Sequence, residues 1–329
     1  LKLMPYERFR PETEAYGQWQ TNAPAGTVTD DTRHKMVLIT ALRDAQANAR
    51  LPLTQQDLAR AYLQFADAPA IVSRPQYRDL CEESFREFAK AAHWVLGNRH
   101  LEQAAPPDRI WGGVPTCCGQ MTMLPLAALY AGRPEDAYRA TYELSFFDVG
   151  PAKDINAALV AGLSVALVQP KPTNEQSRQA VWHNITTAMR TTDPYQYDQI
   201  PFVTRPIVQW LDFASEVARD ATDRPKRLYE RLLRDGQVQY FWESHFIVAL
   251  VFSTLEFCNY DPLAALAMIL DFGHDTDSGA QLLGALAGAI HGPNLFAQEL
   301  QKPVLAQLDA DYDVSLEEWV ALLDEVGKA

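Results

Sequence analysis

The sequence predicts an all-α fold in one compact domain, and three observations predict it. Apolar residues recur at helical spacing in segment after segment from Asp31 to the C-terminus. Strand signals are nearly absent, the short β-branched run Phe202-Val203-Thr204 being bounded by prolines. Proline- and glycine-rich stretches cut the text into helix-length pieces, with no linker that divides it and no repeat of fixed period.

The opening, Leu1 to Gly26, contains Pro5, Pro11 and Pro24 without periodicity and reads as irregular. From Asp31 to Ala47, Met36, Val37, Thr40, Ala41 and Ala45 fall on one helical face. Thr54 followed by Asp57 resembles a helix start, with Leu58, Ala61, Tyr62 and Phe65 on one stripe. Residues 75 to 97 read as a longer helix that stops at Gly97. A loop rich in proline and glycine follows, through Pro106, Pro107, Gly112, Gly113 and Pro115. Helices are then expected at 119–131, 134–146 and 153–168, and a loop at Pro170-Lys171-Pro172. Further helices are expected at 174–190, 206–219, 224–234, 241–257, 261–270, 277–290, 294–308 and 315–327.

Composition narrows the function. The 329 residues include 42 acidic and 29 basic side chains, a formal charge of -13. No basic stripe is available for nucleic acid, and nothing favours docking on an anionic membrane. No apolar run approaches the roughly 20 residues that span a bilayer. Four cysteines, Cys81, Cys117, Cys118 and Cys258, are scattered without C-x-x-C spacing, which suits a reduced, intracellular, cytoplasmic protein. No signal peptide is visible, although numbering starts at Leu1 instead of a methionine.

Two short acidic clusters stand out. Thr29-Asp30-Asp31-Thr32 follows Gly26 and precedes a helix. Gly273-His274-Asp275-Thr276-Asp277-Ser278 precedes another. Carboxylates at a helix start are favoured by capping and by the macrodipole, so either cluster alone reads as an ordinary helix start. The helix after the second cluster changes the balance. It holds Gly279, Gly284 and Gly288 among four alanines, although glycine costs roughly 1 kcal/mol against alanine in a helix interior. Such a helix suggests close backbone approach and a place at the centre of the array. Two aspartates at the start of a buried helix need neutralising, and hard divalent cations have the matching oxygen chemistry.

These two motifs, with the small-residue run Gly284-Ala285-Leu286-Ala287-Gly288-Ala289, resemble the ADP-ribosylglycohydrolase family, whose signatures are T-D-D-T and G-G-D-T-D-[ST] followed by a small-residue helix. The stretch Met121-Thr122-Met123-Leu124-Pro125-Leu126 fits more loosely. The resemblance implies an all-α orthogonal multi-helix bundle and two Mg²⁺ or Mn²⁺ ions in a central cleft that bind a ribose diol. Water would then displace the group on the anomeric carbon. Carried over by position, the implied metal ligands are Thr29, Asp30, Asp31, Asp275, Asp277 and Ser278. Asp31 and Asp277 are the candidates for a combined role as ligand and general base. Gly119, Gln120, Met121, Asp148 and His274 are the implied substrate-binding residues. The implied substrate is a protein bearing ADP-ribose or a small ribosyl compound.

The chain departs from the family pattern in four places. The family's opening G-D-A-x-G helix has no counterpart, so the expectation is a single domain over residues 1–329 that lacks it. His274 replaces the second glycine of the C-terminal signature, and Ser278 its threonine. The middle motif has Thr122 in place of arginine and, roughly, Asp148 in place of a histidine.

Other residues are read conservatively. His34 suits core or surface better than catalysis, and His274 either touches the site or hydrogen-bonds locally. Glu243, Ser244 and His245 are consecutive on a helix and cannot converge as a triad. Cys117 and Cys118 at a helix start read as packing, although a helix N-terminus can lower a thiol pKa. Gly112, Gly113 and Gly119 read as turn residues before a phosphate loop. Trp94, Trp111, Trp182, Trp210 and Trp242 read as core or cleft wall. The altered middle loops keep open a nucleoside-like N-glycoside as substrate. Two further readings are a non-catalytic, crystallin-like metal-binding homologue and, ranked last, a two-metal phosphohydrolase.

Overall fold

The computed structural model describes residues 26–66, 78–199 and 201–328. The irregular opening and the missing first helix expected from the sequence lie outside these residues, apart from Gly26. The chain is all-α. Its helices are α1 (Asp30–Ala47), α2 (Gln55–Ala66), α3 (Arg78–Val95), α4 (Cys118–Met123), α5 (Leu126–Leu129), α6 (Pro134–Leu144), α7 (Pro151–Ala166) and α8 (Glu175–Thr191). They continue with α9 (Pro206–Ala221), α10 (Pro225–Asp235), α11 (Ser244–Phe257), α12 (Pro262–Phe272), α13 (Thr276–His291), α14 (Gln298–Tyr312) and α15 (Leu316–Lys328). Among the described residues the only extended pairing is an isolated antiparallel bridge between Thr116 and Glu243. None of their helices is long and apolar enough to cross a membrane.

Local chemistry explains most boundaries. Helices α6, α7, α9, α10 and α12 each begin with proline at a position whose N–H has no intrahelical partner. Asn174 and Ser177 close a capping box on α8. The single helix expected at 119–131 is two short pieces, because Pro125 has no N–H for the ladder and crowds the preceding turn. The helix expected from 241 begins at Ser244, since Glu243 is extended and bridged to Thr116.

Two helices occupy the centre. In α7 and α11 nearly every side chain is buried, as the all-round apolar character of α11 requires. Helix α9 packs along α11, α6 and α8 along α7, and α13 against α11 and α12. The expectation that the glycine-rich helix is the central one is corrected here. Helix α13 buries Gly279, Leu282, Leu283, Leu286 and Ile290, and its other face is half-exposed. Of its glycines, Gly279 is tightly packed, an added Cβ lying 3.1 Å from Ile269 Cγ2, whereas at Gly284 and Gly288 no described residue stands within 4 Å of an added Cβ.

One buried ion pair ties four helices. Asp154 in α7 accepts hydrogen bonds from Arg205 Nε (2.7 Å), Tyr138 Oη of α6 (2.7 Å) and the Ile207 N–H of α9 (3.0 Å). Arg205 also donates from Nη1 to the Arg190 carbonyl of α8 (3.0 Å). Both charges are out of water, with side-chain exposures of 1% for Arg205 and 3% for Asp154.

Candidate metal and active site

The N-terminal ends of α1 and α13 come together, and with them the two acidic clusters. Carboxylate oxygens of Asp30, Asp31 and Asp277 all lie within 4.8 Å of one another. Asp275, next in line, lies near enough to feel the charges of Asp277 and Asp31. Asp31 is only 3% exposed. Its Oδ2 accepts from Thr29 Oγ1 (3.2 Å), and its buried Oδ1 has no hydrogen-bond partner among the described residues. A buried carboxylate oxygen left without a partner is costly, and a cation would satisfy it. Burial first, and then the charge of Asp277, push the carboxyls of Asp30, Asp31 and Asp275 upward, those of Asp31 and Asp275 well upward. Metal-free, the cluster is electrostatically strained; an all-oxygen donor set of this charge fits hard divalent ions.

Two features hold the cluster in place. The turn before α13 runs through Gly273 (φ 73°) and His274 (φ 63°), both left-handed. A histidine there is strained relative to glycine. Its partners hold it: the ring stacks on Phe241 with centroids 3.6 Å apart and hydrogen-bonds through Nε2 to Tyr229 Oη at 2.9 Å. The second feature is Lys35, which donates from Nζ to the Asp31 carbonyl (2.9 Å) and to Gln281 Oε1. Lys35 lies one turn beyond Asp31, and Gln281 one turn beyond Asp277. The pair therefore cross-links α1 to α13 directly beneath the carboxylates. Burial lowers the Lys35 ammonium to about 8, against the opposing pull of Asp31 and Asp30. The sequence signal for this cross-link is the i, i+4 spacing after each acidic motif, which has no meaning until the two helices are seen side by side.

Cys117, which reads as packing in the sequence, belongs to the site as well. It precedes α4, is 3% exposed, and brings Sγ to 3.5 Å from Ser278 Oγ and 3.8 Å from Asp275 Oδ2. Burial and the neighbouring carboxylates of Asp275 and Asp31 keep its thiol well above the usual range.

Thr29, Asp30, Asp31, Asp275, Asp277 and Ser278 are thus brought together, with His274 beside them. Gly119, Gln120, Met121 and Asp148 are buried. Asp148 accepts from the Gly119 N–H (3.1 Å) and from Ser145 Oγ, and burial raises its carboxyl to about 6. The approach at Gly119 requires glycine, since an added Cβ would stand 2.1 Å from Asp148 Oδ2. Gln120 donates to the Ser244 carbonyl at 3.0 Å. Thr122 joins a buried chain in which His34 Nδ1 meets Tyr62 Oη (3.0 Å), Tyr62 Oη meets Thr122 Oγ1 (2.9 Å), and Thr122 donates to the Cys118 carbonyl (3.1 Å). As expected, Glu243, Ser244 and His245 form no triad: Ser244 Oγ donates to Asn156 Oδ1, and His245 Nε2 meets the Gly236 carbonyl.

His34 gives a pH prediction. Burial first, then the charges of Arg33 and Lys35, depress it from 6.5 to about 3. Because the folded pKa lies below the unfolded one, the native state binds fewer protons and stability falls as pH drops from 6.5 towards 3. His34→Phe, placed against Phe85 and Phe88, removes this lability. Its unfolding free energy relative to wild type is expected to rise by about 1.4 kcal/mol for each pH unit below 6. Parallel urea-denaturation curves at pH 6 and pH 5 would contradict this.

A family model described as ADP-ribosylglycohydrolase matches residues 3–327 of the chain. No curated protein matches it.

Proposed function

Since the chain belongs to the ADP-ribosylglycohydrolase family, we propose that it is a hydrolase of an N-glycosidic bond to ribose, with ADP-ribose as the group released from a modified side chain or small molecule. The observation that carries this reading is the meeting of Asp30, Asp31 and Asp277, with the buried Asp31 Oδ1 left without a hydrogen-bond partner among the described residues. Asp30, Asp31, Asp275 and Asp277, with the hydroxyls of Thr29 and Ser278, would hold two Mg²⁺ or Mn²⁺ ions. When bound, such ions orient a ribose diol and make water a better nucleophile.

The remaining work falls to side chains. Asp31 or Asp277 accepts the proton of the attacking water as the bond to the anomeric carbon breaks. Lys35 and Gln281 keep the α1 and α13 carboxylates at a fixed separation. His274, braced by Phe241 and Tyr229, shapes the wall beside Asp275. Gly119, Gln120, Met121 and Asp148 serve the substrate from below, by holding the segment that carries Cys117. The family match over residues 3–327 supports reading the chain as one domain, and the protein acts away from membranes and nucleic acid.

Thr122 favours a second reading. Standing where the family has arginine, it is locked into the buried chain from His34 to Cys118 and offers no cation to a pyrophosphate. A less anionic, nucleoside-like N-glycoside is then the substrate of the same site.

Thermal unfolding with EDTA, Mg²⁺ or Mn²⁺, each with and without ADP-ribose, tests both readings. A ligand at about 100 times its Kd stabilises the native state by about 2.7 kcal/mol. A rise with metal, extended by ADP-ribose, is the expected result. A rise with metal alone supports the second reading, and no rise with either contradicts the site.

A further inference from the structure

One positive charge is already part of the carboxylate cluster. Lys35 stands one turn after Asp31 in α1, and Gln281 one turn after Asp277 in α13. Lys35 Nζ donates to the Asp31 carbonyl at 2.9 Å and to Gln281 Oε1. The ammonium is therefore wedged between the two helices, within about one helical turn, ~5.4 Å, of the level at which Asp30, Asp31 and Asp277 meet. Both of these acceptors are neutral. The charge of Lys35 is thus not consumed by a direct ion pair with one aspartate and acts on the whole cluster. The cluster itself calls for a cation on separate grounds, since Asp31 is 3% exposed and its Oδ1 has no hydrogen-bond partner among the described residues.

A fixed positive charge at this place has opposite effects in the two states of the site. Without metal it offsets the mutual repulsion of the aspartates. With metal it repels the incoming ion. A unit charge ~6 Å from a divalent ion lowers its affinity by about tenfold even at the dielectric constant of water. We propose that Lys35 is a resident counter-cation, which holds the carboxylates together in the metal-free protein and holds down their affinity for Mg²⁺ and Mn²⁺. Occupancy of the site then follows the free concentration of divalent cation, and the site is regulated by that concentration instead of carrying a permanently bound ion. A lysine that served only as a cross-link between α1 and α13 would act with the reverse sign, because its loss would misalign the ligands and weaken metal binding. The inference rests on the two-cation reading above, and its test separates the two.

The metal-free full-length chain and two variants are dialysed against Mn²⁺ at pH 7, with free Mn²⁺ read from its electron paramagnetic resonance signal. Lys35→Met keeps the unbranched stem and removes the charge. Gln281→Met breaks the cross-link and keeps the charge. Lys35→Met is expected to bind Mn²⁺ about tenfold more tightly than wild type, and Gln281→Met no more tightly than wild type. Melting curves give a second readout that a purely structural role would not produce. Lys35→Met is expected to melt below wild type in EDTA and to gain more than wild type from the same excess of Mn²⁺. Equal or weaker Mn²⁺ binding by Lys35→Met, or equal tightening in Gln281→Met, overturns the inference and leaves the two-cation reading standing. Absence of bound Mn²⁺ and Mg²⁺ in wild type and Lys35→Met alike overturns both. Should Lys35→Met fail to fold, Lys35→Gln, which keeps an N–H donor without the charge, decides by the same comparison.

Discussion

Asp31→Asn and Asp277→Asn are each expected to lower turnover by at least about 10³-fold, or about 4 kcal/mol of barrier, while the metal-free protein stays folded and no less stable than wild type. The two effects have one cause. Burial and the charge of Asp277 hold the Asp31 carboxyl well above its ordinary value, so the ionised group costs stability in the metal-free protein. Asparagine keeps the shape and an acceptor for Thr29 Oγ1, and it removes the charge. The strain is relieved, the cation loses a ligand and the attacking water loses its base. Metal-dependent stabilisation should disappear together with activity. The double variant should be hardly worse than either single one, because residues that act as a unit are not additive. Steady-state turnover of ADP-ribosylated and simple riboside substrates, beside melting curves in EDTA and in Mn²⁺, measures all of this. Near-wild-type turnover in either variant would show that the proton goes elsewhere.

The elements of the fold were legible because each carries its own signal. Proline at the first position of α6, α7, α9, α10 and α12 and the Asn174 cap of α8 mark starts that the structure places within two residues of those read from periodicity. The two acidic motifs were legible for a similar reason: each is contiguous, and each opens a helix. What a one-dimensional reading misses is whatever depends on which helix lies beside which. Glycines at 284 and 288 look like close packing, yet among the described residues no neighbour stands within 4 Å of the space a Cβ would fill. Lys35 is an ordinary surface lysine until Gln281 is seen across from it. Cys117 has no motif partner, and only the meeting of α1, α4 and α13 brings it to Asp275 and Ser278. His274 looks like a disruption of a glycine turn. Phe241 and Tyr229, distant in sequence, are what make the left-handed histidine tolerable.

Asp154→Ala is expected to cost about 3–5 kcal/mol of stability, the figure for breaking one side of a buried ion pair, and to do so without touching the chemistry. The substitution leaves the Arg205 guanidinium buried without its anion and removes the acceptor of Tyr138 Oη and the Ile207 N–H. Three elements lose their common anchor on α7 at once. The expected fall in melting temperature is roughly 6–20 °C, at about 2–4 °C per kcal/mol for a large domain. Arg205→Met should be similarly damaging, since it strands the carboxylate of Asp154. The pair Asp154→Ala/Arg205→Met should recover part of the loss, because it removes both buried charges and with them the desolvation that made each single change severe. A double-mutant cycle by urea denaturation measures the coupling. Additive losses would mean that the pair contributes through its separate hydrogen bonds to Tyr138, Ile207 and Arg190 and not through the charges. Turnover per folded molecule should match wild type throughout, because Asp154 and Arg205 bond to none of the carboxylates at the ends of α1 and α13. The contrast with Asp31 is then complete in sign. At the helix starts the carboxylates cost stability and serve chemistry, whereas in the core the carboxylate stabilises and has no part in it.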